Sequence, residues 1–444
     1  MLAGFLRLLP RRQFGQLPSL QDKTFYERLY TPIVTLWYLI FQRLHCDHTL
    51  QAVVADAQAG GADSLCQGLA QKLRSGATVS YNNARQRLPL ALLLEALALQ
   101  ARKILELNPK ALWRGLMVSL LDGSTVRLRP QGDIPKHFPP HGNQSKSPAY
   151  WCLMRVVVCF CAGTGAALHC LCGALSLSEQ ALACQIIQTV RQACLFVGDR
   201  NFGVFRIVQA VREIKSHVLV RLTQVRARKL LGRSLRLGQH PVRWSPSAHD
   251  QLHPDSCKDP VEGQLLVVRL QRKGFRSQEL YLFTTLPKSP DYPLEELVRL
   301  YGVRWHIELN LRYLKDQMAM AQLESKSAEM AQKEWLAGLM AYHLIRAAML
   351  CAALREGISA LHLSFSAARR HLEHWLNLFG QARSQAYQAW EKTLRAIGQA
   401  RLPRRRKARP SEPRAQRHLR QPYPPLIGCR QKARAQLKKC ARKS

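Results

Sequence analysis

Four chemically active side chains recur at helical spacing near the middle of the chain: Tyr301, Arg304, Glu308 and Lys315. At about 100° of rotation per residue, a helix places all four within one stripe of roughly 60°. A carboxylate between two cations, with a phenol beside them, could hold a metal ion next to a phosphate group. An ordinary amphipathic helix with a charged solvated face is the alternative. The adjoining stripe is apolar and predicts a core-facing seam: Leu300, Val303, Ile307, Leu311 and Leu314.

Two aspartates lie in apolar segments that are typical of buried strands. Asp122 stands in the middle of residues 116–128, and Asp199 ends the apolar residues 194–199. Burial of a carboxylate is costly unless a partner compensates it, and ligand sites in open α/β sheets lie beyond the carboxyl ends of the strands. Each aspartate alone could equally be a turn residue or a helix cap. Together with Glu308, they form a set of three acids.

Three carboxylates suit phosphodiester chemistry that uses two metal ions. Their oxygens hold Mg²⁺ or Mn²⁺ while leaving coordination positions for substrate phosphates. One ion activates the attacking water or hydroxyl, and the other stabilises the leaving oxygen of an in-line displacement. The cations Arg304 and Lys315 would then neutralise and position DNA phosphates, and Tyr301 offers a hydroxyl donor. Arg312 falls beside the same helical stripe and is a further candidate.

The spacing Tyr-x2-Arg-x3-Glu-x6-Lys resembles the signature of the DDE transposases of bacterial insertion sequences, in the group with the YREK motif. The Asp-Gly-Ser sequence at Asp122 and the Asp-Arg-Asn-Phe sequence at Asp199 resemble the surroundings of that family's two catalytic aspartates. Asn201 stands where the family usually has glycine. Because asparagine tolerates a left-handed backbone, we expect the turn to survive. The resemblance implies that Asp122, Asp199 and Glu308 are catalytic and bind two metal ions.

From residue 109, the predicted elements alternate as in an α/β fold. Strands are expected at 116–128, 150–160, 166–175, 194–199 and 217–223, and helices at 178–192 and 203–215. The resemblance implies an RNase H-like catalytic core, with an α-helical DNA-binding region before it and helices and a basic tail after it. Trp244, in the expected β-rich insertion, is a candidate for holding a flipped base, although its ordinary role would be a core side chain. The expected boundaries are 1–108 for the N-terminal helical region, 109–224 for the first part of the core, 225–290 for the insertion, 291–350 for the catalytic helix region, 351–400 for the C-terminal helices and 401–444 for the tail.

The N-terminal region contains a pattern that is typical of a helix-turn-helix DNA reader. A helix over residues 62–74, the break Ser75-Gly76 and a polar helix over residues 79–88 are expected. A plain helical hairpin is the alternative. If the second helix reads DNA, the residues that recognise the ends of the element are Ser80, Tyr81, Asn83, Arg85 and Arg87.

The whole-chain composition predicts a polyanionic partner. The formal net charge is +37 over 444 residues. Charge alone would fit a ribosomal protein or a membrane-surface protein equally well. Residues 401–444 carry 16 Lys and Arg against the single acid Glu412, and we expect a largely disordered tail that binds DNA without sequence preference. Since no apolar run reaches about 18 residues, no membrane segment is expected.

The resemblance therefore predicts a bacterial, cytoplasmic and nucleoid-associated transposase. It would cut DNA at the terminal inverted repeats of an insertion sequence and join the ends to target DNA, acting as a homodimer that holds two ends. Two alternatives remain from the sequence. One is an RNase H-like nuclease or resolvase that cuts without strand transfer, and the other is a catalytically inactive relative that only binds DNA.

Overall fold

A computed structural model of the chain describes residues 2–21, 25, 29–108, 111–140, 150–232, 234–252, 259–270, 278–378, 383–402, 429, 431, 432 and 435. The predictions for the tail beyond Leu402 therefore fall almost wholly outside the described residues. The described strands are β1 Met117–Leu128, β2 Cys152–Cys161, β3 Ala167–Ala174, β4 Cys194–Gly198, β5 His217–Arg221, β6 Gly238–Trp244, β7 Val261–Leu270, β8 Gln278–Thr284 and β9 Gln322–Leu323.

Helices surround these strands and also fill the N-terminal and C-terminal regions. The α-helices are α1 Leu2–Leu8, α2 Arg11–Gly15, α3 Pro18–Gln21, α4 Pro32–Leu44, α5 Leu50–Gln58, α6 Leu69–Lys72, α7 Val79–Arg87, α8 Leu90–Glu106, α9 Ile134–His137, α10 Glu179–Thr189, α11 Phe205–Glu213, α12 Gln224–Leu231, α13 Ala248–Gln251, α14 Leu294–Gly302, α15 Trp305–Arg312, α16 Ala328–Arg355, α17 Phe365–Leu378 and α18 Arg383–Gln399. The α/β prediction is confirmed.

One mixed sheet organises the molecule. Its strand order is β3-β2-β1-β4-β5-β8-β7-β6, and β9 pairs with the far half of β1. Strands β1, β2 and β3 are antiparallel neighbours, whereas β4 and β5 run parallel to β1. The strands of the expected β-rich insertion extend this same sheet, because β8 pairs with β5. Strand β4 ends at Gly198, level with the middle of the longer β1, and ligand sites in such sheets form beyond the carboxyl ends of parallel strands.

Helices cover both faces of the sheet, and the alternation of side chains along each strand separates two cores. Leu120 of β1 belongs to one core, to which α15 and α16 contribute. Its neighbour Leu121 belongs to the other, with residues of α10 and α11. Helix α16 is long and apolar enough to cross a membrane by composition, but 89% of its apolar window is buried inside the molecule. It is the central core helix of this fold.

One local prediction differs from the structure, and the structure decides between the two roles considered for Trp244. The helix expected over residues 62–74 is reduced to turns and the single helical turn of α6, which Gly68 precedes with a left-handed φ of 68°. A backbone with positive φ cannot continue a right-handed helix. Trp244 is only 6% exposed and packs edge-to-face on Phe283, with ring centroids 4.8 Å apart. Since its ring is enclosed in the core, Trp244 cannot take a flipped base in this conformation.

Candidate active site

The two aspartates stand side by side at the carboxyl edge of the parallel strands. The β1–β4 register pairs Leu120 with Val197, so two residues further along Asp122 comes level with Asp199, the first residue after β4. Side chains two residues apart share a face of a sheet. Both carboxylates therefore point to the face covered by α15, because Leu120 and Val197 belong to the same core as Ile307.

The charge around Asp122 is unbalanced toward the negative. Burial raises the pKa of Asp122 to about 6, and the neighbouring carboxylates of Asp199 and Glu179 raise it too. The Gly123 N–H, which donates to Asp122 Oδ1 at 2.8 Å, and the guanidinium of Arg304 lower it. A further cation near Asp122 would stabilise the ionised form of its carboxyl group.

The loop after β4 is held by its own side chains. The Asn201 N–H donates to Asp199 Oδ1 at 2.8 Å, and Asn201 Nδ2 donates to Glu179 Oε2 at 2.6 Å. The turn is present with Asn201, as expected, and it does not use a left-handed backbone, since Asn201 is not among the residues with positive φ. The turn therefore needs no glycine here, and the asparagine contributes through its side-chain amide instead.

Residues 301–315 do not form the single uniform helix that the spacing suggested. Helix α14 ends at Gly302, and the Arg304 N–H donates to Tyr301 O at 3.1 Å in a tight turn before α15 begins. After α15, residues 313–317 widen into one turn of π-helix. Tightening at one junction and widening at the next change the rotation per residue, so the predicted stripe is only approximate. It still turns Arg304, Glu308 and Lys315 toward β1.

Two contacts join these residues to one another and to β1. Arg304 Nη2 donates to Glu308 Oε1 at 2.6 Å, with the two side chains 19% and 33% exposed. Lys315 Nζ donates to Ser124 Oγ at 3.1 Å, two residues beyond Asp122.

Tyr301 and Arg312 differ in their relation to the same cluster. Tyr301 is 9% exposed, and burial raises the pKa of its hydroxyl. The nearby charge of Arg304 lowers this pKa, and that of Asp199 raises it. Arg312 is exposed at the end of α15. Among the described contacts, none joins Arg312 to the cluster, so only three of the four predicted phosphate-binding side chains are brought together.

The donor set fits a hard divalent cation, although one ligand is engaged elsewhere. Asp122, Asp199 and Glu308 offer only carboxylate oxygens, which Mg²⁺ and Mn²⁺ prefer. Burial first, and then the charges of Asp199 and Glu179, raise the pKa of Asp122. In the described part of the chain, no three acidic, histidine or cysteine side chains are already close enough to hold a metal ion. Glu308 is instead paired with the guanidinium of Arg304.

Two residues at the site were missed by reasoning from the sequence. Glu179 lies in the first turn of α10, whose N-cap Ser178 accepts a hydrogen bond from Ala181 N. The Ser-Glu pair at the start of an expected helix was the available signal. Trp305, beside Arg304, is 48% exposed. An exposed aromatic side chain offers a flat apolar surface to a ligand.

The expected reader helix forms, but two of its five candidate residues face inward. The Tyr81 hydroxyl is buried and donates to Gln42 Oε1 at 2.8 Å. Arg85 Nη2 pairs with Glu334 Oε1 at 2.8 Å, with both side chains at most 10% exposed. These two cannot contact DNA in this conformation, because they attach α7 to the core. The exposed members are Ser80, Asn83 and Arg87.

Comparison with known proteins points in one direction. Residues 113–344 match a family model described as "Transposase DDE domain". The chain is 26% identical over 291 residues to the transposase InsG for insertion sequence element IS4 of Escherichia coli (strain K12), and the alignment spans 64% of each chain. Among solved structures, the piggyBac transposase synaptic complex with hairpin DNA matches with a TM-score of 0.41 and 9% identity, covering 89% of this chain and 85% of that one. A superposition at this score is too loose to establish a shared fold.

Proposed function

The chain belongs to the transposase DDE domain family, and we propose that it cuts DNA at the ends of an insertion sequence and joins those ends to target DNA. The single observation that carries this proposal is the level arrangement of Asp122 and Asp199, with the Arg304–Glu308 pair on the helix above them. Three acids drawn from separate elements to one sheet edge, with a guanidinium between them, are suited to a polyanionic substrate.

The core is proposed to be RNase H-like. The order β3-β2-β1-β4-β5, with the first three strands antiparallel and the last two parallel to β1, supports this assignment. Helices α10 and α11 cross between β3, β4 and β5 on one face, and α15 lies on the other. This layout places Asp122 and Asp199 on the face covered by α15, the helix that carries Glu308, although the three acids are far apart in the chain.

We propose that Asp122, Asp199 and Glu308 hold two Mg²⁺ or Mn²⁺ ions. When bound, the ions would supply activation of the attacking hydroxyl and stabilisation of the leaving oxygen. Among the chain's own groups, Arg304 would orient one phosphate by its planar fork, and Lys315 would add a point charge near Ser124. Tyr301 keeps its proton over the physiological range, since burial raises the pKa of its hydroxyl, and it would donate that proton in a hydrogen bond to phosphate.

The partner is proposed to be double-stranded DNA, at the element's inverted repeats and at the target. The charge of +37 supports a polyanion, and a bacterial, nucleoid-associated location follows from that partner. Because a transposition event joins two ends, a homodimer is the proposed working unit. Recognition of the ends is assigned to the exposed face of α7, which carries Ser80, Asn83 and Arg87.

The test uses duplex DNA with the inverted repeats that flank the coding sequence, incubated with the full chain and Mg²⁺ or Mn²⁺. We expect cleavage and strand transfer, and a loss of at least about a hundredfold, or ~2.7 kcal/mol of barrier, in Asp122→Asn, Asp199→Asn and Glu308→Gln. DNA binding without metal should persist in all three. Asp316→Asn, an exposed acid just after α15, is the matched control and should retain activity.

Two results would contradict parts of this proposal. Full cleavage by Asp122→Asn would remove the assignment of the active site. Cleavage without any joined product would favour a nuclease or resolvase over a transposase.

A further inference from the structure

Glu179 occupies the space that a side chain at residue 123 would fill. A Cβ added to Gly123 would lie 2.3 Å from Glu179 Cδ and 2.5 Å from Oε1. The carboxylate of Glu179 therefore rests directly on the backbone of β1, one residue beyond Asp122. Its charge is among those that raise the pKa of Asp122. Glycine at this position leaves the room that the acid needs.

The same carboxylate also holds the loop that carries the other aspartate. Asn201 Nδ2 donates to Glu179 Oε2 at 2.6 Å, and the adjacent Gln180 Nε2 donates to Asn201 O at 2.7 Å. Two successive residues of α10 thus form hydrogen bonds with Asn201, Glu179 with its side chain and Gln180 with its main chain. The Asn201 N–H in turn donates to Asp199 Oδ1.

The start of α10 is itself fixed, so it provides a rigid support. The Ser178 hydroxyl caps the helix by accepting from Ala181 N at 3.1 Å. Arg155 of β2 donates to the carbonyls of Leu175 and Leu177 in the segment that leads into the helix. Hydrogen bonds thus connect β2 to the start of α10 and α10 to the loop that carries Asp199. Glu179, at the start of α10, also lies against Gly123 of β1.

We propose that Glu179 is a positioning residue, which holds Asp199 at a fixed separation from Asp122 by accepting the Asn201 amide while it packs on Gly123. This inference rests on the proposed function. Two neighbouring carboxylates repel each other, and an untied loop would carry Asp199 away from β1. The charge of Glu179 adds to that repulsion and cannot itself hold the two aspartates together. Glu179 therefore positions Asp199 through its hydrogen bond to Asn201 and its packing on Gly123.

The experiment compares Glu179→Ala, Glu179→Gln, Asn201→Ala and the double variant Glu179→Ala/Asn201→Ala in the full chain. At saturating DNA, we expect the cleavage rate to fall about 10–100-fold in both alanine variants, as is usual for groups that orient metal ligands. The double variant should be no slower than the slower single variant, because both changes break one connection. Glu179→Gln retains a side-chain oxygen for the Asn201 amide and should recover most of the rate.

A second readout does not require activity. Mn²⁺ binding to the protein without DNA, followed by electron paramagnetic resonance, should weaken in both alanine variants and recover in Glu179→Gln. Glu213→Ala, which changes an exposed acid of α11, is the matched control and should behave as the wild type in both assays. If Glu179→Ala fails to fold, Gly123→Ala takes its place, since its methyl group would displace the acid from β1.

The outcomes separate this inference from the proposed function. Wild-type rates and Mn²⁺ affinity in Glu179→Ala, or in Gly123→Ala, would overturn it. An equal loss in Glu179→Gln and Glu179→Ala would also overturn it, because the charge and not the hydrogen bond would then be required. If the wild type itself binds Mn²⁺ but does not cleave DNA, the proposed function fails, and the binding measurements still decide the role of Glu179.

Discussion

Under the proposed function, Arg304 would have two anionic partners, the carboxylate of Glu308 and a phosphate of the DNA. Without DNA it is paired with Glu308 at 2.6 Å, and both side chains are largely shielded from solvent. A carboxylate held by a guanidinium is less available to a metal ion. A phosphate that takes over Arg304 would release Glu308, so DNA binding and metal binding should strengthen each other by the same factor.

Substitution of Arg304 should therefore have opposite effects on two measured quantities. In Arg304→Ala, we expect Mn²⁺ to bind the DNA-free protein about fivefold or more tightly, within the usual range of coupling between sites. Cleavage should nevertheless slow at saturating DNA, because the phosphate loses its guanidinium, and the loss should exceed any loss in DNA affinity. Lys315→Ala should slow cleavage in the same way without changing the metal affinity. Titration with Mn²⁺ and single-turnover cleavage measure the two effects, and Arg312→Ala is the control. Unchanged or weaker metal binding in Arg304→Ala would show that the ion pair does not restrain Glu308.

At the scale of elements, apolar runs bounded by polar residues predicted the strands well. The strand expected over 116–128 is Met117–Leu128, and the one expected over 194–199 is Cys194–Gly198. The helix break between Gly302 and Trp305 was not predicted, since the apolar spacing of an α-helix hardly differs from that of a brief tighter turn. The inward orientation of Arg85 was also missed. Its partner Glu334 is distant in sequence, and the local pattern of α7 does not contain it.

Helix α7 provides a matched pair of arginines with opposite expected roles. Arg85→Met should lower the free energy of unfolding by about 3 kcal/mol, because it leaves the Glu334 carboxylate buried without its partner. Arg87→Met changes an exposed side chain and should alter stability by less than about 0.5 kcal/mol. If α7 reads DNA, Arg87→Met should reduce discrimination between terminal-repeat and random duplexes. Urea denaturation and fluorescence anisotropy measure the two effects. Unaltered discrimination in Arg87→Met would place end recognition on another surface.

His343 connects three elements and should make the fold sensitive to acid. On α16, its Nε2 accepts from the Ala167 N–H of β3 at 2.9 Å, and its Nδ1 lies 3.2 Å from Gln100 Oε1 of α8. Burial lowers the pKa of His343 from 6.5 to about 3. Below pH 6.5, His343 therefore binds a proton in the unfolded chain but not in the folded chain. Stability is lost as the pH falls from 6.5 toward 3.

The expected size of this effect is about 2 kcal/mol at pH 5, from 1.36 kcal/mol per pH unit. His343→Gln retains a donor and an acceptor but cannot be protonated, so its free energy of unfolding should fall less between pH 7 and 5 than that of the wild type. Urea denaturation at several pH values measures the difference. His137→Gln, at an exposed position, should follow the wild-type curve. Parallel curves for His343→Gln and the wild type would mean that His343 is not the group responsible.

At the scale of the whole molecule, the site depends on contacts that no local pattern contains. The motif around Glu308 and the two aspartates could be found in the sequence because their spacing and apolar surroundings are local properties. The Glu179–Asn201 connection joins the first turn of α10 to the loop after β4, and the local pattern at the start of α10 does not contain that partner. Residues 225–290 were expected to form a β-rich insertion, yet the pairing of β8 with β5 depends on which sheet edge is free. That edge exists only once the core has formed.

The proposed role of the basic tail belongs to the same scale, because its charge would act on the DNA as a whole. Ser364 N donates to Ala400 O and Leu402 N donates to His362 O, so a truncation should follow Leu402 in order to keep this contact. It removes 15 of the 16 cations counted from residue 401, since only Arg401 remains. Each lost phosphate contact should flatten the slope of log affinity against log salt by about 0.9 on duplex DNA. We expect a change of several units and weaker non-specific binding at low salt, measured by anisotropy titrations at several salt concentrations. Discrimination in favour of terminal repeats should persist, because we assign it to α7. A slope equal to that of the full chain would show that the tail does not contact DNA, and a loss of discrimination would move end recognition to the tail.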